Sequence, residues 1–178
     1  MSFIEYIDSP IGLIECKATK IGLEHVIFCG EKTNKIKPND ITQLCKQQLL
    51  QYFTGNLTQF TIPLDPQGTL FQKTVWQCLS NIPYGKTVSY KDIAILANKP
   101  KGSQAIGGAN GRNPISIIVP CHRVIGSNGS LTGYASGIER KLWLLQHEGI
   151  EIKPSKETQT LNINNVINTR QANTQFLT

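Results

Sequence analysis

A break in regular structure divides this sequence into two parts of different character. Pro63, Pro66 and Gly68 lie close together, and neither a continuous helix nor a continuous strand tolerates all three. Short β-rich runs precede the break, whereas apolar residues recur at helical spacing after it. We therefore predict an N-terminal domain over residues 1–66, a C-terminal domain over 67–150 and a polar tail over 151–178.

The N-terminal part alternates in the manner of strands. The runs FIEYI, GLIECKAT and LEHVIFC are separated by Ser9-Pro10 and by residues 20–22, which are typical of tight turns. This pattern predicts a three-stranded antiparallel meander. From Asp40, a suitable N-cap, apolar residues share one helical face as far as Gly55, so we expect a helix that covers one face of the sheet.

Helical patterns dominate the C-terminal part. One helix is predicted from Thr69 to Pro83, and a last helix ends at Gly149. Between them, SYKDIAILA, which starts at Ser89, and SQAIGGAN have the spacing of a helix-turn-helix. Its second helix contains Gly107 and Gly108, which indicate a close approach of the backbone, either to nucleic acid or to another helix. Two further apolar faces are predicted. That of the helix that starts at Thr69 consists of Phe71, Val75, Cys78, Leu79 and Ile82, and that of the helix that ends at Gly149 consists of Ile138, Leu142, Trp143 and Leu145.

These patterns predict an α+β fold class. A small antiparallel sheet with one helix is expected first, followed by a mostly helical winged-helix or helix-turn-helix domain. No stretch reaches the roughly 18 uncharged apolar residues that a membrane span requires, and the first residues lack the basic and apolar regions of a signal peptide. We therefore expect a cytoplasmic protein without membrane contact.

Positive charge is concentrated in the predicted C-terminal domain. Residues 1–66 contain six Lys and seven acidic residues, whereas residues 67–149 contain nine Lys or Arg and three acidic residues. A localised basic surface attracts polyanions, so nucleic acid is the first partner to consider. A solvated face that carries lysines is the simpler alternative.

One of the five cysteines stands apart from the others. An odd number without a C-x-x-C spacing indicates neither a disulfide framework nor a zinc ribbon, and the three histidines show no ligand spacing, so we predict no metal. Cys121 is followed by His122 and Arg123, and a thiol becomes a strong nucleophile only as a thiolate beside a base or a positive charge. Neighbouring side chains on a strand point to opposite faces, so adjacency does not ensure a direct contact between Cys121 and His122, and a water or a turn can connect them. Pro120 predicts a fixed, non-helical backbone at Cys121. The other four residues, interpreted as buried apolar side chains, are Cys16, Cys29, Cys45 and Cys78.

Around Cys121 the sequence resembles a known family. PCHRVIGSNGSLTGYASG, preceded by SYKDIA and GGANGRNPISIIV and followed by KLWLLQHEG, is similar to the O6-alkylguanine-DNA alkyltransferases, also called methylated-DNA-protein-cysteine methyltransferases. The motifs occur in order over about residues 69–149. The N-terminal part resembles the family only in its strand-strand-strand-helix pattern, which is RNase H-like there. The resemblance implies DNA repair by direct, irreversible, single-turnover transfer of the alkyl group of O6-alkylguanine, with O4-alkylthymine as a second candidate lesion.

The resemblance also assigns roles within the reactive site. Cys121 accepts the alkyl group as a thiolate, and His122 acts as a water-mediated base polarised by Glu148. Asn113 braces the turn at the site, and Tyr90 turns the phosphate of the target nucleotide and donates a proton to the departing guanine. No cofactor is implied. The base pocket is implied to consist of Val119, Pro120, Tyr134 and Ala135.

By the same resemblance, a monomer binds the minor groove of double-stranded DNA that contains O6-alkylguanine. The target base must leave the stack, because the alkyl carbon is out of reach inside the duplex. Gln104 departs from the family pattern, since an arginine usually fills the hole left by the extruded base. The residues implied to contact DNA are Tyr90, Lys91, Lys99, Lys101, Gln104, Ala105, Gly107, Gly108, Arg112 and Ser127.

Three other functions are alternatives to alkyl transfer. Relatives without the nucleophile bind alkylated DNA as a signal, but here Cys121 is retained together with His122, Asn113 and Glu148. A Cys-His hydrolase would need an oxyanion-binding loop, and none is identifiable. A transcription regulator that senses alkylation can contain this domain, but the sequence shows no separate second DNA-binding domain, which argues against that function.

Overall fold

The computed structural model describes residues 1–152, so most of the predicted tail lies outside the described residues. These residues form two compact units, one of residues 1–67 with 114–116 and one of residues 68–113 with 117–152. The predicted α+β class is confirmed, with strands in the first unit and mainly helices in the second. Among residues 1–152, every helix is too short or too polar to cross a membrane.

The first unit contains the predicted meander. Strands β1 (Phe3–Ser9), β2 (Gly12–Ala18) and β3 (Leu23–Cys29) pair antiparallel in chain order. Residues 114–116 join this unit because Val26 exchanges backbone hydrogen bonds with Pro114 and Ser116, each 2.9 Å long. The prediction of three consecutive antiparallel strands is confirmed.

Helix α1 (Asp40–Phe53) packs on this sheet. Its N-cap is Asn39, so the prediction of Asp40 as the cap is wrong by one residue. Asn39 Oδ1 accepts a hydrogen bond from the Thr42 amide, and Thr42 Oγ1 accepts one from the Asn39 amide, both 2.9 Å long. Asn39 caps as well as aspartate does, and Asp40 then lies in the first turn, where its charge complements the helix dipole.

Four helices organise the second unit: α2 (Leu70–Ser80), α3 (Tyr90–Leu96), α4 (Ser103–Gly111) and α5 (Ile138–His147). Thr69 caps α2 and Ser89 caps α3, each within a capping box. Helices α3 and α4 are joined by a short turn and pack together as the predicted helix-turn-helix. Two short parallel strands, β4 (Val88–Ser89) and β5 (Val124–Ile125), bring the start of α3 close to the segment after Cys121.

The buried face of α2 differs in part from the predicted one. Val75 and Leu79 are buried as expected, but the third buried side chain of the helix is Trp76, whereas Phe71 and Cys78 are only half-buried. The Trp76 indole Nε1 donates to the Ala109 carbonyl over 2.9 Å. This hydrogen bond satisfies a buried polar atom and fixes α2 against α4.

Candidate active site

Cys121–Arg123 form one turn of 3-10 helix, closed by a hydrogen bond of 3.0 Å from the Arg123 amide to the Pro120 carbonyl. The prediction of a non-helical backbone at Cys121 is therefore wrong. Proline lacks a donor but keeps its acceptor, so Pro120 can stand immediately before a helical turn. Successive side chains of a 3-10 helix diverge by about 120°, which sends Cys121, His122 and Arg123 in three directions.

His122 and Arg123 both reach Glu148, which caps the end of α5. His122 Nε2 lies 2.8 Å from Glu148 Oε1, and both side chains are completely buried. Arg123 Nε and Nη2 donate to the two carboxylate oxygens over 2.8 and 2.9 Å, while Nη1 donates to the Ile82 carbonyl over 2.6 Å. The carboxylate is thus held by a bidentate guanidinium and by an imidazole.

The environment fixes the charges of this buried group. Burial acts to raise the pKa of Glu148, but hydrogen bonds from His122 and Arg123 lower that pKa to about 2. Burial lowers the pKa of His122 below its usual value, against the opposing effect of Glu148. Near neutral pH the carboxylate is therefore ionised and the imidazole is neutral.

The tautomer of His122 follows from its hydrogen bond. The Nε2 proton points to Glu148, so Nδ1 carries the lone pair. This Nδ1 atom is buried and has no hydrogen-bond partner within residues 1–152. A buried, unpaired imidazole nitrogen is a proton acceptor available for chemistry.

Cys121 is 5% exposed. Burial raises the pKa of its thiol, while a hydrogen bond with the Asn113 side chain and the positive charge of Lys141 act in the opposite direction. The thiol therefore keeps its proton near neutral pH in the absence of DNA. Forming the nucleophile requires an acceptor for that proton.

Asn113 braces the turn that leads to Cys121. Its Nδ2 atom donates to the Val119 carbonyl over 2.8 Å. Within this turn Ile117 has φ +71°, a left-handed conformation that a β-branched residue adopts only under strain. The sequence did not reveal the role of Asn110, whose Nδ2 donates to the Cys121 carbonyl over 3.4 Å.

Lys141 is a second residue that the sequence interpretation missed. Its side chain is completely buried, and its Nζ donates to the Val124 and Thr132 carbonyls over 2.6 and 2.9 Å. Burial lowers the pKa of its ammonium to about 8. A signal was present, because Lys141 lies on the apolar stripe of α5, three residues after Ile138 and four before Leu145.

Tyr90 begins α3 and is half-buried. Its hydroxyl donates to the same Thr132 carbonyl over 2.9 Å, so this oxygen accepts from both Tyr90 and Lys141. Burial raises the pKa of Tyr90, which keeps the phenol protonated. Three of the expected base-pocket residues, Val119, Pro120 and Tyr134, are buried, whereas Ala135 is exposed.

Most of the expected DNA contacts lie on the surface. The exposed members of the set are Lys91, Lys99, Lys101, Gln104, Ala105, Arg112 and Ser127. Gly107 and Gly108 are half-buried, on a different side of α4 from the buried Ile106, Ala109 and Asn110. A Cβ at position 107 would find its nearest neighbour, Tyr90 Cε1, 4.0 Å away. Tight packing against another helix therefore does not explain Gly107.

Two family models match the chain. The 6-O-methylguanine DNA methyltransferase ribonuclease-like domain matches residues 3–66, and the DNA-binding domain of the same family matches residues 70–150. The first match falls on the strand-rich unit, and the second covers the helix-turn-helix and the segment that contains Cys121, His122 and Glu148.

Individual relatives agree with the family models. The methylated-DNA--protein-cysteine methyltransferase of Methanosarcina barkeri is 47% identical over 152 residues, which cover 82% of this chain and 96% of that protein. The Mycobacterium leprae protein of the same name is 55% identical over 153 residues, 83% of this chain and 93% of its own. A crystal structure of Mycobacterium tuberculosis OGT in complex with DNA aligns with a TM-score of 0.75 and 45% identity, covering 82% of this chain and 92% of the other. The chain belongs to the O6-methylguanine DNA methyltransferase family.

Proposed function

We propose that this protein repairs DNA by transferring the alkyl group of O6-alkylguanine to Cys121 in a single, irreversible turnover. The reaction class, direct transfer from DNA to a protein cysteine, follows from the family. One observation supports Cys121 as the acceptor. Cys121 precedes a buried histidine, His122, whose Nε2 is held by an ionised Glu148 and whose Nδ1 lacks a partner within residues 1–152.

The transfer begins when the Cys121 thiol loses its proton. A water molecule carries this proton from Cys121 Sγ to His122 Nδ1, and Glu148 stabilises the imidazolium that forms. The 2.8 Å contact between His122 and Glu148 keeps the ring in the tautomer that accepts at Nδ1. The charge of Lys141 favours the thiolate, because it acts to lower the pKa of Cys121.

The thiolate then displaces guanine from the alkyl carbon. A bond forms between Sγ and carbon, the bond between that carbon and O6 breaks, and its electron pair passes to the guanine. Tyr90 donates a proton to the departing base, a role that its protonated phenol allows. The proton that His122 has taken up returns through solvent to the phenolate, so both side chains end neutral. A neutral thioether remains on Cys121 and has no leaving group that would regenerate the thiol.

Substrate access requires the target base to leave the duplex. We propose that α4 enters the minor groove of double-stranded DNA, where its small residues allow close approach. The lysines around α3 and α4 then contact phosphates, and Gln104 occupies the hole left by the base. The protein acts as a monomer in this proposal, with O4-alkylthymine as a further candidate lesion.

The base pocket is proposed to lie between the turn before Cys121 and the loop after β5. Val119, Pro120 and Tyr134 supply buried apolar walls. Ala135 is exposed, and its backbone amide is proposed to donate to the guanine oxygen. Asn113 and Lys141 hold the two segments through backbone carbonyls.

A mass measurement tests the proposal. The protein is incubated with duplex DNA that contains O6-methylguanine, and its tryptic peptides are weighed. The peptide that contains Cys121 is expected to gain one methyl group, and Cys121→Ser is expected to gain none. Cys78→Ser, which removes a half-buried cysteine on α2, serves as the matched control and retains the transfer. An unmodified Cys121 peptide despite tight DNA binding would support the signalling function instead.

A further inference from the structure

A groove between α2 and α4 lies outside the reactive site. Its volume is about 470 Å³, within the range of small-ligand sites. None of its lining residues contributes to the hydrogen bonds around Cys121, His122 and Glu148. The lining residues that carry the argument are Phe71, Gln72, Gln104, Gly108 and Arg112.

Two of these residues present flat groups. Phe71 is half-buried on α2 and contributes an aromatic ring, and Arg112 contributes a planar guanidinium at the end of α4. Arg112 Nη1 donates to the Gly108 carbonyl over 3.3 Å, which directs the guanidinium back along α4. A Cβ at position 108 would lie 3.1 Å from this nitrogen, so glycine makes room for it. Aromatic rings and guanidinium planes are the side chains on which unstacked bases pack.

Two amides add polar edges to the same groove. Gln72 Oε1 accepts from the Thr69 amide over 2.9 Å, which leaves its Nε2 as a donor. Gln104 is exposed. An amide offers the paired donor and acceptor that match the edge of a base. Arg112 is the one formally charged residue among the described lining residues, so the set suits a base better than a phosphate.

We propose that this groove binds a nucleobase of DNA, namely the partner base that loses its pairing when the target base is extruded. The occupant follows from position, because Gln104 lines the groove and lies on α4, the helix that enters DNA in the proposed function on which this inference rests. Glutamine is shorter than the arginine usual at this position and carries no charge, so it holds the unpaired base in the stack less firmly. The base then swings toward Phe71.

Affinity measurements distinguish the contribution of the partner base from that of the rest of the DNA. Cys121→Ser is used to trap the complex with duplex DNA in which O6-methylguanine faces either cytosine or an abasic site. Adding Phe71→Leu is expected to weaken binding of the cytosine duplex roughly tenfold, as loss of one stacked base would. The abasic duplex should be bound as before. Lys73→Ala, an exposed position on the same helix, is the control that changes both affinities by the same factor.

Photocrosslinking locates the base directly. With 5-iodocytosine opposite the lesion, the crosslink is expected on the tryptic peptide that contains Phe71 and is expected to disappear in Phe71→Leu. Equal loss of affinity for both duplexes, or a crosslink elsewhere, would overturn the proposal. Transfer from free O6-benzylguanine to Cys121 in Phe71→Leu reports the proposed function separately.

Discussion

Tyr90 and Lys141 donate hydrogen bonds to the same oxygen atom, the Thr132 carbonyl, each over 2.9 Å. One donor comes from the start of α3 and the other from α5, so the loop after β5 is held from two elements. In the proposed function the Tyr90 hydroxyl leaves this oxygen to serve a nucleotide, whereas Lys141 keeps its hydrogen bond. This arrangement leads to a prediction about access to the buried Cys121.

Tyr90→Phe is expected to make Cys121 more reactive toward iodoacetamide in the absence of DNA. The hydroxyl contributes about 1 kcal/mol through its hydrogen bond, so its loss should raise the population of the open loop roughly fivefold. Mass spectrometry of the Cys121 peptide over time gives the rate. Tyr84→Phe is the matched control, because that hydroxyl donates to the His147 carbonyl outside the loop. Equal rates in all three proteins would show that the Tyr90 hydrogen bond does not limit access.

Glu148→Gln is expected to lower the free energy of unfolding by roughly 3 kcal/mol or more near neutral pH, because it leaves the buried charge of Arg123 unpaired. The carboxylate has a folded pKa of about 2 against an ordinary 4.5, so its stabilisation is complete above 4.5 and is lost as the pH falls toward 2. The difference in the free energy of unfolding between Glu148→Gln and the unsubstituted protein should therefore become smaller as the pH falls from 4.5 to 2. Urea denaturation at several pH values measures it, and Glu139→Gln, an exposed site on the same helix, should show no such narrowing.

Lys141→Met is expected to change the dependence of stability on alkaline pH. The folded ammonium has a pKa of about 8 against 10.5, so between these values the folded state releases a proton that the unfolded state keeps. The unsubstituted protein should therefore gain up to roughly 3 kcal/mol relative to Lys141→Met as the pH rises through this window. Parallel denaturation curves measure the gain. Lys86→Met, at an exposed lysine, should reproduce the profile of the unsubstituted protein; a constant difference between that protein and Lys141→Met would contradict the buried charge.

Gln104→Arg is expected to raise the rate of repair in duplex DNA about tenfold. The charged, planar guanidinium of arginine should fill the gap left by the extruded base better than the glutamine amide does. Transfer from free O6-benzylguanine should change little, because no gap exists there. Second-order rate constants on both substrates test this, and Gln104→Lys separates the effect of charge from that of the fork. If the unsubstituted protein and Gln104→Arg repaired duplex DNA at the same rate, the prediction would be wrong.

Local patterns determined the elements and their order. Alternation predicted the three strands. The helices predicted from Thr69 and from Ser89 begin at these positions in the structure, where each residue is the N-cap and its side chain bonds to an amide only three residues away. The capping error at Asn39 was a shift of one position between two residues that cap equally well. The motif around Cys121 also indicates the family from the sequence alone.

Tertiary structure decided which distant groups meet. Arg123 donates hydrogen bonds to Glu148, which lies 25 positions later in the sequence. Lys141, on the apolar stripe of its helix, donates to two backbone carbonyls. The 3-10 turn at Cys121 likewise contradicted the non-helical backbone expected after Pro120. Sequence periodicity reports only which face of an element is apolar. Whether a charge on that face is buried, and what compensates it, depends on packing between elements that are far apart in the chain.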